Sequence, residues 1–204
     1  IMWQAVLQGD GTQQVQLDSV TLAATADSTP PAANASSVVI KRSSGGDVIN
    51  NGDWTNASTP YFSWSPANDS QSSILGYCVY VGTDSNADPV TTKGLLGTSP
   101  VNVNSDCPYV VSGTSLNLAT SGVLATPLST SNSPYYIKIK AIDNAQNIYS
   151  GTSASANFRF DDTAPTNPLF VSTPSQFVSS KQVNVTWPTA DANAANDNNS
   201  GVAG

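Results

Sequence analysis

A strict two-residue alternation runs through Tyr135-Tyr136-Ile137-Lys138-Ile139-Lys140-Ala141. Successive side chains of a β-strand point to opposite faces. Tyr135, Ile137, Ile139 and Ala141 therefore line one face, and Tyr136, Lys138 and Lys140 the other. The same period recurs in Gly76-Tyr77-Cys78-Val79-Tyr80-Val81-Gly82, with Tyr77, Val79 and Val81 on one side and Cys78 and Tyr80 opposite. Shorter strand candidates fall at Val38–Ile40, Val48–Ile49, Tyr61–Ser65, Val101–Val103, Tyr109–Val111, Ser115–Leu118 and Ala156–Phe160. Turn formers such as Asn50-Asn51-Gly52-Asp53 separate them. Runs of strong helix formers are few. The expected fold is all-β, an antiparallel β-sandwich.

Two Pro-rich stretches without periodicity divide the chain, "ADSTPPAANASS" near the start and "DDTAPTNP" after Phe160. Pro30-Pro31 favours extended, stiff backbone, and such stretches read as interdomain linkers. The expected organisation is the closing strands of a preceding β domain at 1–26 and a linker at 27–35. A sandwich with an insertion follows at 36–161, then a linker at 162–168 and the first strands of a second sandwich at 169–204. The second copy shows in "QVNVTWP" around Trp187, which matches the Trp64 strand, and in "ANDNNSGVAG", which echoes "ANDSQSSILG". The offset is 123 residues at Trp64/Trp187 and 128 at Gly76/Gly204, as expected of a tandem array. Both ends read as if continuing into neighbouring domains. "QVQLDSVTL", at 14–22, resembles the closing strand of jelly-roll carbohydrate-binding modules over fewer than ten residues.

Composition narrows the function. Charged residues are 10% of the 204, while Ser, Thr and Asn supply about a third, giving a surface hydrated by hydroxyls and amides. All 14 acidic residues are Asp, and there is no His. Without His, the Ser-His-Asp and Cys-His triads and the usual zinc sites are excluded. A pair of Asp could serve a glycosidase, but no cleft is legible. Net charge is −7, and seven scattered Lys and Arg form no basic patch, which disfavours nucleic acid. No run approaches the ~20 apolar residues of a membrane span. An extracellular protein that is not an enzyme is the expectation.

Three separated anchors resemble a fibronectin type III domain, an immunoglobulin-like repeat typical of large secreted bacterial or archaeal surface proteins. Trp64-Ser65-Pro66 and its polar loop resemble the family's second strand. Gly76-Tyr77-Cys78-Val79 resembles the opening of its third, and Tyr135-x-x-x-Ile139-x-Ala141-x-Asp143 its sixth. The resemblance implies that Trp64, Tyr77, Ala141 and, in the second copy, Trp187 are core residues. It further implies that Tyr135 is a tyrosine corner, its hydroxyl tied to nearby backbone. The sandwich exceeds the family's ~100 residues, so its middle must hold an insertion. Gln146 stands where many bacterial relatives carry Gly in the turn after the sixth strand.

Cys78 and Cys107 are the only cysteines, and an exported protein would pair them, pinning the insertion to the third strand. Asp143, Asp161 and Asp162 offer hard oxygen ligands for calcium, and "FDDTAPTNP" is loosely similar to a cadherin linker. Asp is equally at home in turns and linker ends, where its side chain satisfies local backbone. Trp54, Tyr80 and Tyr136 could be exposed and stack on sugars, or could cover a sandwich edge. The expected role is a structural or adhesive module of a surface or filament-forming protein. Its partners would be other copies of itself, other cell-surface proteins or glycans. The alternative is an accessory or carbohydrate-binding segment of a secreted glycan-active enzyme.

Overall fold

A computed structural model of the protein describes residues 9–12, 26–103, 107–166 and 196–201. Trp187, the strands expected around it and most of the closing strands expected at 1–26 lie outside the described residues. Nine strands and no helix are present among the described residues: β1 (Ser36–Lys41), β2 (Val48–Ile49), β3 (Trp54–Thr55), β4 (Tyr61–Ser65), β5 (Ile74–Gly82), β6 (Val110–Val111), β7 (Ser115–Asn117), β8 (Tyr135–Asp143) and β9 (Ala154–Phe160).

They form two sheets, ordered β2-β1-β4-β7 and β3-β9-β8-β5-β6. Every pairing is antiparallel except β3 with β9, which run parallel. The alternation read in β8 sets its register, with Val79 opposite Ile139 and Val81 opposite Ile137 on β5. The inward faces meet in one core. Ile40, Phe62, Trp64 and Leu116 of the first sheet pack with Tyr77, Val79, Val81, Ile137, Ile139 and Phe158 of the second. Phe62 lies 6.1 Å from Phe158, and Trp64 meets Tyr77 edge-on at 5.5 Å. Such aromatic pairs contribute roughly 0.5–1.5 kcal/mol each beyond the area they bury.

The outer face of β5 is also buried, which alternation alone does not anticipate. The segment between β5 and β6 folds back over it and makes a second, smaller core. There Cys78, Cys107, Val110 and Ile142 pack with Val90, Val101, Val103 and Ile148. The Leu95 N–H donates to Val81 O at 2.8 Å. That approach needs Gly94, because a Cβ there would sit 2.1 Å from the same oxygen. Tyr80, a candidate exposed aromatic, is buried under this flap, and its hydroxyl accepts the Asp84 N–H at 2.9 Å. Val101–Val103 is not a strand; its valines serve the small core instead.

Candidate functional site

The first linker is built into the sandwich. The Ala32 N–H donates to Asn68 O at 3.1 Å, and the Gln71 side chain donates to Thr29 Oγ1. Asn34 fills a gap at the end of β8. Its Oδ1 accepts the Ala141 N–H at 2.9 Å, while its amide donates to Ile139 O at 3.0 Å. An amide engaged in this way leaves no room for a glycan at this Asn-Ala-Ser sequon.

Docking the linker brings three carboxylates to one pole of the sandwich. Asp27 comes from the linker, Asp69 from the loop between β4 and β5, and Asp143 from the end of β8. One oxygen from each lies within 4.8 Å of the others. Each carboxylate is fixed by local backbone. Asp69 Oδ1 accepts the N–H groups of Gln71, Ser72 and Ser73. Asp143, fully buried, accepts the Asn147 N–H on Oδ1 and its side-chain amide on Oδ2, both at 2.8 Å. Asp27 Oδ1 accepts the Thr29 N–H at 2.8 Å, which holds that carboxyl below its ordinary range; the Ser72 hydroxyl nearby acts in the same direction. Even so, neither Asp27 Oδ2 nor Ser72 Oγ makes an aligned hydrogen bond, and both atoms are shielded from solvent.

Asp161 and Asp162 do not join Asp143. Tyr135 pairs with Phe158, so Asp161 lies beside the start of β8 and Asp143 at its other end, roughly 25 Å away at strand rise. Asp161 instead meets residues 196–201. Its Oδ1 accepts the Thr163 N–H at 3.0 Å and its Oδ2 the Ser200 N–H at 3.1 Å, which keep it ionised below the usual range although burial opposes this. Asp197 Oδ1 accepts the N–H groups of Asn199 and Ser200. Asp162 Oδ1 accepts from Thr130 Oγ1 at 2.6 Å.

These contacts repeat part of the first pole. Asp161 stands 134 residues after Asp27, and each accepts the N–H two residues on. Asp197 and Ser200 stand 128 residues after Asp69 and Ser72. The Thr166 N–H donates to Asn196 O at 2.8 Å, as that of Ala32 does to Asn68 O. Asp27 and Asp69 were not singled out from the sequence because each reads alone as a turn former. Aligning the two linkers and the two "AND" loops is the signal that finds them.

Cys78 and Cys107 are disulfide-bonded with their Cα atoms 5.6 Å apart, which fits an oxidising environment. The Tyr135 hydroxyl donates to Ser129 O at 2.9 Å and accepts the Ser129 N–H at 3.0 Å. Trp64, Tyr77 and Ala141 are buried in the main core. Trp54 is half-buried at the rim of a cleft of about 660 Å³ that Arg42, Asp161, Asp162 and Pro165 also line. One face of its indole is covered by the Arg159 guanidinium, 5.4 Å from the ring centroid. No protein-family model, curated protein or solved structure matches this chain.

Proposed function

We propose that this chain is a non-catalytic structural and adhesive segment of an extracellular, multidomain surface or filament-forming protein, with fibronectin-type-III-like sandwiches in tandem. The observation that carries the reading is the repeated joint. In both copies a linker Asp caps its own turn, and a linker amide donates to the Asn carbonyl of an "AND" loop. A free tether has no need of such contacts. Repeating them fixes how each module meets its linker, which is what an extended array requires.

The strand order supports the family resemblance. β1, β4 and β7 face β9, β8 and β5. Trp64 lies against Tyr77, and Tyr135 is tied to Ser129 in the manner of a tyrosine corner. Composition points the same way, with no His or Glu for acid–base chemistry near neutrality and a surface of hydroxyls and amides. The cleft beside Trp54 favours a second reading, a glycan-binding accessory of a secreted enzyme. It is the weaker one, since Arg159 already covers one face of the indole and leaves at most the other for a sugar ring.

Antibodies against residues 36–161, applied to intact producing cells, test the proposal. Labelling of surface fibres or layers supports it. Labelling that requires permeabilised cells, or a full-length product that is compact instead of extended in electron micrographs, overturns it.

A further inference from the structure

We infer that the pole formed by Asp27, Asp69 and Asp143 is a calcium site. Acidic turn residues alone would not carry this. The sign of a ligand is a pair of under-satisfied oxygens: Asp27 Oδ2 and Ser72 Oγ are both shielded from solvent and neither makes an aligned hydrogen bond, although the Ser72 hydroxyl lies near the Asp27 carboxyl. Buried polar atoms are satisfied in native proteins by a partner, a water or an ion. Three carboxylates within 4.8 Å repel one another, and Asp143 is wholly buried among them. No Lys or Arg compensates this charge among the described residues, where the one ion pair, Lys140–Asp88, lies under the insertion. A cation answers the repulsion and the under-satisfied oxygens together.

The donor set selects the ion. Carboxylates and a hydroxyl are hard oxygen ligands, and calcium takes six to eight of these at about 2.3–2.6 Å. Magnesium demands a near-ideal octahedron at about 2.0–2.1 Å and gives up its waters reluctantly, whereas calcium accepts an irregular set of carboxylate and hydroxyl oxygens such as this one. Each carboxylate is already oriented. Asp69 is held by three amides, Asp143 by Asn147 and Asp27 by Thr29, so at Asp27 and Asp69 the partner accepted from backbone leaves the second oxygen for the metal. The ligands come from the linker, the β4–β5 loop and the end of β8, so a bound ion would lock linker to module. That consequence rests on the array reading. The site itself does not, and the linker contacts would remain if it proved wrong.

Titration calorimetry and thermal melting of the chain with calcium chloride, and separately magnesium chloride, test the site. One calcium per chain is expected, in the 0.1–1 mM range typical of roughly 10⁻⁴–10⁻³ M extracellular sites or tighter. The midpoint should rise by roughly 5–10 °C at a hundredfold excess over Kd. The D27N/D69N variant keeps both backbone acceptors and loses at least tenfold in affinity; D47N, at an exposed Asp, binds as the parent does. In the unmodified chain, calcium should first move the amide resonances of Gln71, Ser72, Ser73 and Asn147, a readout that needs no variant. No binding to the folded chain overturns the proposal. So does an equal response to magnesium, an unchanged response in D27N/D69N, or resonance shifts confined to other regions.

Discussion

Cys78 is bonded to Cys107 on the face of β5 that turns away from the main core, so the disulfide fastens the insertion and not the sandwich itself. The closed loop separates the two residues by 29 positions. In the chain-entropy treatment, closing it is worth about 3–4 kcal/mol. Urea denaturation of a C78A/C107A variant should show that loss while the main-core aromatic signals persist. An unchanged midpoint would mean that the insertion is held by packing alone.

Tyr135→Phe removes a hydroxyl that both donates to and accepts from Ser129 backbone. The phenol is nearly buried, at 3% exposure, so water cannot replace it freely. The expected cost is about 1–3 kcal/mol in unfolding free energy. Tyr136→Phe, on the outer face of the same strand, should stay within about 0.5 kcal/mol.

Gln146 holds φ at 70°, in the left-handed region that a side chain enters at a cost of about 1–2 kcal/mol. Glycine enters without that cost but loses more entropy on folding, about 0.5–1 kcal/mol. Gln146→Gly should therefore stabilise the protein by up to about 1 kcal/mol, and Gln146→Val should destabilise it. Denaturation midpoints in the order Gly, Gln, Val are expected; the reverse order would place the turn's constraint elsewhere.

Asp27, Asp88 and Asp161 all lie below the ordinary carboxyl value of 3.8. Asp27 is held there chiefly by the Thr29 N–H and Asp161 by that of Thr163. For Asp88 burial works the other way, but the Val90 N–H and Lys140 outweigh it. As pH falls, the unfolded chain takes up these protons first. The stability they contribute is present above the ordinary value and lost as pH falls through the folded values. Tyr80 and Tyr109 are raised above 10.0 by burial, so above that pH the unfolded chain ionises first and stability falls again. With neither His nor Glu in the chain, the melting midpoint in calcium-free buffer should be flat between about pH 5 and 9. It should drop on both sides, and a step near pH 6–7 would contradict this assignment.

The long strands were legible because burial on one face imposes a period of two, which Tyr135 to Ala141 displays openly. Their pairing was not, since β3 is two residues long and Trp54-Thr55 carries no pattern that announces a parallel partner in β9. Alternation places Tyr80 only on the outer face of β5 and leaves its exposure open, because it describes a single sheet and knows nothing of an insertion returning over that face. Asp143 was legible as a potential ligand and its companions were not. Asp27, Asp69 and Asp143 are far apart in sequence, and only the docking of the linker beside Asn68 makes them neighbours.

The central claim is that the linker before the sandwich is a structural part of it. Asn34 bridges to Ala141 and Ile139, and Ala32 to Asn68, so the backbone should be as rigid there as in the strands. Backbone amide order parameters for Ser28, Thr29, Ala32, Ala33 and Asn34 test this most directly. Values of about 0.85, matching β5 and β8, are the predicted result. Values below about 0.6 at these positions would show a flexible tether and contradict the account.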